Sequence, residues 1–382
     1  MNFPPAPESQ SPFTRVQSRQ QFLKLVFAII AWSLAMMAYV TFRYAQGDDR
    51  PYWAITAADL TTLSIYMGLI FGCLHWLSNL ITDVSGIRRM PYAFIVAFKG
   101  LFLLLGALTL AYITNWLNSW DNAEQFAATS QILTAHVLNA PSAQTLIAYL
   151  VLVRTGLAFI EQMGLLVGPR VLLNIGMGKY HKPRYEERIF LFLDMVSSTA
   201  HAEALGDYRF SRLIQDCFDL LSDVVTQNQG EIYRYVGDAV LISWPQRHRS
   251  RARLCLNVYF DFVQTLYWNR HYFQKEYGFV PKFKAAAHGG QVVAALVGVY
   301  KQEISFFSDV LNTLARLQDQ CGPLGCQMLI SHQVKDALDG EHNYDLLSLG
   351  PVRLKGKQQE IEVFSVSRTY SAADPQSSPQ EF

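Results

Sequence analysis

Four stretches of the chain are apolar with little interruption, at residues 22–41, 57–81, 92–116 and 143–167. Crossing a bilayer core as a helix takes about 20 such residues, and each stretch is long enough. After residue 187 the pattern changes, and short apolar runs alternate with amphipathic segments. Residues 189–193 read as a buried strand ending on Asp194. Phe210, Leu213, Ile214, Cys217, Phe218, Leu221 and Val225 recur at helical spacing, with Gly230 as a suitable stop. Strands are expected at 231–236 and 239–244, around the tight turn Gly237-Asp238. A helix is expected over 251–277, two strands around His288-Gly289-Gly290, and a helix over 309–319. Strands follow near 327–330, 345–354 and 360–367. The pattern predicts a transmembrane bundle of four α-helical spans, then an α+β domain with a mostly antiparallel sheet.

The boundaries follow from composition. Residues 1–20, rich in Pro, Ser and Gln, and residues 369–382 read as disordered tails. Residues 21–168 are the membrane domain, 169–187 a basic linker that either signals or serves as a passive tether, and 188–368 the second domain. Pro183 and its charged neighbours argue against one continuous helix through the linker.

Charge sets the orientation. Arg15, Arg19 and Lys24 lie at or before the start of the first span, and Arg88 and Arg89 separate the second from the third. Arg170, Lys179, Lys182 and Arg184 follow the fourth, whereas residues 117–144 contain no Lys or Arg. The positive-inside bias places both termini in the cytoplasm of a multi-pass protein, of the bacterial inner-membrane type. Arg43 and Arg50, beside Asp48 and Asp49, run mildly against that bias.

Charges inside spans are costly and therefore informative. His75, Lys99 and Glu161 are expected at similar depth in the cytoplasmic third, with Arg154 and Asp59 nearer the outer side. Two readings stand: ion pairs that hold the bundle together while Lys99 snorkels, or a polar pocket for an unknown membrane ligand. His75 is the one histidine well inside a span, which argues against a haem held by two histidines.

Composition adds exclusions. The 382 residues are 51% hydrophobic and 16% charged, with a net charge of +1, so no global field attracts nucleic acid. The five cysteines form no CxxC pair, so a zinc site is not expected and reduced cytosolic thiols are. The first apolar segment is too long for a cleavable signal peptide.

The chemistry gathers between 188 and 245. An apolar strand ends on Asp194, the hydroxyl-rich turn Ser197-Ser198-Thr199 opens a helix, and Asp238 sits at a hairpin tip. Carboxylates at strand ends beside a phosphate-sized turn suit metal ions held against a nucleoside triphosphate. Together with Lys284 before His288, the stretch from Phe306 to Arg316, and Leu354-Lys355-Gly356-Lys357, this ordered set resembles the catalytic domain of class III adenylyl/guanylyl cyclases. The resemblance covers about residues 188–367 and implies a ferredoxin-like core.

The resemblance also implies roles. Asp194 and Asp238, with the Met195 carbonyl, hold two Mg²⁺ or Mn²⁺ per site. Ser197, Ser198, Thr199, Lys284 and Lys355 contact phosphates. Asn312 orients the ribose, and Arg316 stabilises the α-phosphate as it is attacked by the 3′-hydroxyl. One domain supplies Asp194, Asp238 and Lys284 and a second copy supplies Asn312, Arg316 and Lys355, so a homodimer with shared sites is implied. Ser198 stands where the family has phenylalanine, and Lys284 where many members have arginine.

Base choice rests on Arg234 and Ser305. Adenylyl cyclases usually carry lysine and an aspartate or threonine at these positions; guanylyl cyclases carry glutamate and cysteine. Without glutamate at 234 the guanine ring N–H lacks an evident acceptor, so ATP is the expected substrate and cyclic AMP the product. A guanylyl cyclase, or a catalytically silent cyclase-like receptor, is the alternative. Arg234 also has a plain reading, a solvated strand charge with Tyr233 and Tyr235 on the opposite face.

Overall fold

A computed structural model describes residues 13–46, 57–84, 90–118, 122, 124–131, 141–246, 250–338, 343–357 and 360–368. It divides into two compact units, an N-terminal helical one and a C-terminal one that begins at Val167.

The N-terminal unit contains α1 (Phe13–Gln46), α2 (Ala57–Val84), α3 (Tyr92–Asn118) and α4 (Pro141–Val167). These hold four stretches apolar and long enough to cross a bilayer, Gln21–Arg43, Leu60–Thr82, Tyr92–Leu117 and Gln144–Val167. Phe22, Phe27, Leu34, Tyr66, Leu152 and Leu166 are exposed, so the outer surface of the bundle is apolar. Such a surface suits lipid. The first helix starts earlier than expected. Residues 13–20 contain no Gly or Pro and continue α1 instead of forming part of a disordered tail. Residues 1–12 and 369–382, and Arg50, Arg88 and Arg89, lie outside the described residues.

Gly68 and Gly72 let α2 press against α1. A Cβ on Gly72 would lie 2.6 Å from Ile29 Cα, and one on Gly68 would collide with Ser33. This small-xxx-small spacing brings two helix backbones together where no hydrophobic drive separates helix from lipid. Around that seam Trp32, Met36, Phe71, Leu103 and Leu150 form the bundle core.

The C-terminal unit opens with α5 (Pro169–Gly176), preceded by Gly168 at φ 92°. Its eight strands are β1 (Arg184–Met195), β2 (Glu231–Val236), β3 (Ala239–Pro245), β4 (Phe283–Val297), β5 (Glu303–Phe307), β6 (Met328–Ser331), β7 (Tyr344–Arg353) and β8 (Glu360–Arg368). The sheet order is β2-β3-β1-β4-β6-β8-β7, with β5 also paired to β4. Every pairing is antiparallel except β4 with β6. The expected α+β domain with a mostly antiparallel sheet is therefore present.

Alternation along β1 builds two cores. Ile189, Leu191 and Leu193 face one side with α6 (Ser198–Gln227), α7 (Ser250–Trp268) and α8 (Arg270–Tyr277). Phe190 faces the other, under Val310, Leu314 and Leu317 of α9 (Asp309–Asp319). A short helix, α10 (His332–Ala337), completes the first layer.

Some elements differ from expectation. The helix expected over 251–277 breaks at Asn269, whose backbone N–H and side-chain amide both donate to the Thr265 carbonyl. His288-Gly289-Gly290 joins no pair of strands; it lies inside the single strand β4. Gly290 is there for close approach, since a Cβ would sit 2.9 Å from Val310 Cγ2 of α9. Gly230 does not end α6 through a left-handed turn, because Gln229 takes that conformation at φ 55°. Gly230 instead makes room for Trp244, 2.8 Å from where its Cβ would be.

Candidate active site

Sheet register brings the first acid to its partners. Asp194 lies opposite Ala239 on β3 and opposite Lys284 on β4. Asp238 precedes Ala239 in the β2–β3 turn, where Gly237 takes φ 63° to close a two-residue hairpin. The two carboxyl groups thus meet at one end of the sheet. Burial, then the Asp238 charge, pushes the Asp194 carboxyl above its usual range, while Lys284 and Gln318 pull it back. Lys284 Nζ is 3.6 Å from Asp194 Oδ2. Gln318 Nε2 donates to the same oxygen at 2.6 Å.

Two juxtaposed carboxylates, partly neutralised by an ammonium and an amide, form a hard-oxygen donor set that fits Mg²⁺ or Mn²⁺. Among the described residues no group of three or more His, Cys, Asp or Glu side chains is arranged to hold a metal.

The hydroxyl turn stands next to Asp194. Ser197 is the residue before α6 and adopts the left-handed conformation (φ 58°, ψ 33°), which is uncommon for a non-glycine residue. Its side chain makes no capping hydrogen bond, so Ser198 and Thr199 begin the helix with first-turn N–H groups open to an anion.

Asn312 and Arg316 stand elsewhere. Both are exposed on α9, and Arg316 Nη1 lies 3.5 Å from Asp319. Gln318 is buried and reaches Asp194, and side chains two apart on a helix point about 200° apart. Arg316 therefore faces away from the carboxylates of its own chain. Lys355 is exposed, in a turn that Lys357 ties to Asp309 at the start of α9.

Arg234 and Ser305, the two positions expected to read the base, lie on β2 and β5. A bulge between Ile232 and Arg234 makes Tyr233 an extra residue in β2. Tyr233 turns toward β5: its ring lies 4.9 Å from Phe306, and its hydroxyl accepts the Phe306 N–H at 3.4 Å. Tyr235 packs instead on Phe218 of α6, so the two tyrosines do not share a face as the alternation suggested. Arg234 Nη2 donates to Glu303 at 2.6 Å, two residues before Ser305.

Sequence reasoning missed Gln318 and Glu303. Gln318 had a signal: it is a polar residue on the stripe of Val310, Leu314 and Leu317 that faces the sheet. Glu303 had none, because its partner lies on a strand that is not its sheet neighbour.

The family model for the adenylate and guanylate cyclase catalytic domain matches residues 180–368. These residues belong to that family. Adenylate cyclase 2 of Rhizobium meliloti is 37% identical over 221 residues, which is 58% of this chain and 61% of that protein. Guanylate cyclase 2G of Mus musculus is 23% identical over 188 residues, 48% of this chain and 17% of that protein. The chain thus spans less than two thirds of each of these relatives. A solved bacterial light-regulated adenylyl cyclase shares the fold, with a TM-score of 0.50 at 19% identity over 61% of this chain and 69% of that one.

Proposed function

We propose that this protein is a membrane-bound adenylyl cyclase that converts ATP to cyclic AMP and pyrophosphate. The observation that carries the reading is the meeting of Asp194 and Asp238 beside the open first turn of α6. Asp194 and Asp238 would hold divalent ions, which when bound would lower the pKa of the 3′-hydroxyl and neutralise the triphosphate. The first turn of α6 holds the terminal phosphates, with Lys284 alongside. The 3′-oxygen bonds to the α-phosphorus, the α–β bridging bond breaks, pyrophosphate leaves and the hydroxyl proton passes to solvent. Arg316 supplies positive charge where negative charge builds on the α-phosphate, and Asn312 holds the ribose.

Because Arg316 faces away from Asp194 in its own chain, a second copy completes each site. The membrane bundle anchors the dimer with both termini cytoplasmic, and residues 169–187 carry its influence to the catalytic domains.

The test is product formation by full-length protein in detergent, with equal ATP and GTP and either Mn²⁺ or Mg²⁺. Cyclic AMP is expected as the main product, falling at least on the order of 10²-fold in Asp194→Asn. Asp194→Ala and Arg316→Ala should each be inactive and recover activity when co-expressed. Unchanged turnover in Asp194→Asn would remove the metal assignment, and no recovery in the mixture would remove the shared site.

A further inference from the structure

We propose that Cys321 and Cys326 form a reversible dithiol–disulfide switch, closed by peroxide, that loosens the Gln318 contact to Asp194 when it closes. The bond rests on the positions of the two sulfurs. Its effect on turnover rests on the reading above that Asp194 belongs to the active site.

Position sets this pair apart from the other cysteines. Cys73 lies in the span of α2. Cys217 and Cys255 are buried in the larger core, where burial pushes both thiols up. Cys321 and Cys326 bracket the turn between α9 and β6. The Cys326 N–H donates to the Cys321 carbonyl at 3.0 Å, and Cys326 Sγ lies 3.8 Å from the same oxygen. A disulfide spans Cα atoms roughly 4.4–6.8 Å apart, a reach in keeping with that backbone hydrogen bond. Cys321 is buried and its Sγ donates to the Ala285 carbonyl at 3.4 Å, whereas Cys326 is partly exposed.

The two thiols are chemically unequal. Hydrogen bonding from Cys321 pulls the Cys326 thiol down, and the same contact, with burial, pushes Cys321 up. The exposed sulfur is therefore the attacking thiolate and the buried one the resolving thiol. The Cys326 thiolate attacks a peroxide oxygen and the O–O bond breaks. Cys326 sulfenic acid forms, and the departing hydroxide takes up the proton that Cys326 lost. Cys321 sulfur then attacks Cys326 sulfur, the S–O bond breaks, and hydroxide leaves as water with the Cys321 proton. Two thiols and one peroxide give one disulfide and two waters, and an added dithiol reverses the change by exchange.

The pair is tied to the site. The Cys321 N–H donates to the Gln318 carbonyl at 3.1 Å, and Gln318 Nε2 donates to Asp194 at 2.6 Å. Ala285, which accepts the Cys321 thiol, follows Lys284, the ammonium beside Asp194. Turning Cys321 Sγ from Ala285 to Cys326 gives up the thiol–carbonyl contact and moves the end of α9, and Gln318 with it.

The experiment uses full-length protein in detergent, reduced or treated with hydrogen peroxide, then alkylated with N-ethylmaleimide and digested with trypsin. Residues 317–335 hold no Lys or Arg before Lys335, so one peptide carries both cysteines. Peroxide should leave that peptide unalkylated and lighter by two hydrogens, and dithiothreitol should restore two alkylated thiols. Mn²⁺ affinity, read from the electron paramagnetic resonance of the free ion, should fall about tenfold on oxidation. That is the low end for losing a group that orients a metal ligand, and cyclic nucleotide formation should fall with it. Cys326→Ser should keep the Mn²⁺ affinity of the reduced protein and lose the response to peroxide. Two thiols that stay alkylated after peroxide, a disulfide with unchanged Mn²⁺ affinity, or a response that survives in Cys326→Ser overturns the proposal. A loss of Mn²⁺ affinity that follows the disulfide, in a protein yielding no cyclic nucleotide in either state, would sink the cyclase reading and support this one. Product formation that stays level once the disulfide is complete would do the reverse.

Discussion

Among the described residues two arginines are almost wholly buried, one in each unit, and they are neutralised in different ways. Arg154 in α4 is 1% exposed and Arg188 in β1 is 3% exposed. Each has an Nε without a hydrogen-bond partner. Arg188 is gripped by two carboxylates, Glu186 at 2.9 Å and Glu231, and also donates to Ser243 Oγ at 2.9 Å. Arg154 donates mainly to uncharged groups: His75 Nδ1 at 2.8 Å, Asn79 Oδ1 at 3.2 Å and Ser78 Oγ at 3.3 Å. Its carboxylate, Glu161, is 3.9 Å away and also serves His75 at 2.8 Å and Lys99 at 3.3 Å. Trp32 Nε1 and Arg154 both donate to His75 Nδ1, so the ring hydrogen sits on Nε2 and is accepted by Glu161. In the sheet, Arg188 has two carboxylates, one two residues away on its own strand and one on β2, beyond β3. In the bundle, one carboxylate organises groups from three helices.

That difference sets how each cluster breaks. Glu161→Ala should be the most damaging change, because it strips the shared carboxylate from Lys99, Arg154 and His75 at once. Removing one partner of a buried pair costs several kcal/mol, and with Glu161 partly exposed the low end, about 3 kcal/mol, is expected. The measurement is thermal unfolding of the full-length protein in detergent. A loss confined to a few tenths of a degree would mean that the four helices do not depend on this cluster. Glu231→Gln should cost less, about 1.5 kcal/mol, the low end for a hydrogen bond to a charged group, because Glu186 still holds Arg188. If Glu231→Gln proved as damaging as Glu161→Ala, redundancy would not be the reason for the sheet's tolerance.

The same contrast explains what was legible in the sequence. Membrane spans and amphipathic elements announce themselves by period, so the four spans and the helix Asp309–Asp319 match expectation closely. The three groups expected at one depth, His75, Lys99 and Glu161, do meet. Arg154, expected nearer the outer side, joins them instead. It lies two turns from Glu161 on the same helix, and its long side chain covers that distance. Asp59 lies in α2, but its side chain is outside the described residues. Asp194 and Asp238 were readable because each ends a strand or fills a turn. The Arg234–Glu303 pair was not, since β2 and β5 are separated in the sheet by β3, β1 and β4. A one-residue bulge and the Tyr233–Phe306 contact bring them together, and neither leaves a periodic mark.

The smallest effect concerns the outer end of the Arg188 cluster, in the segment before β1. Lys179 Nζ lies 2.8 Å from Glu186 Oε1, and Tyr180 donates to the same oxygen at 3.2 Å. Burial alone raises the Glu186 carboxyl, but hydrogen bonds from Lys179 and Arg188 outweigh it and hold the carboxyl below the usual range. Burial lowers Lys179, and the hydrogen bond to Glu186 reverses that and leaves it above its ordinary value. A carboxyl lowered on folding stabilises above its unfolded value of 4.5, and the gain disappears as pH falls through the folded value. An ammonium raised on folding stabilises below 10.5, and that gain is lost as pH rises through the folded value. Both contributions are therefore whole between those limits. Lys179→Met should unfold below the unmodified protein by a constant margin from pH 6 to pH 9. The margin is that of a partly exposed pair, under ~1 kcal/mol. It should narrow as pH falls below 4.5, where the unmodified protein loses the Glu186 charge as well. A margin that stayed level through the acid range would mean that this segment is held to the sheet by packing of Tyr180, which is 4% exposed, and not by charge.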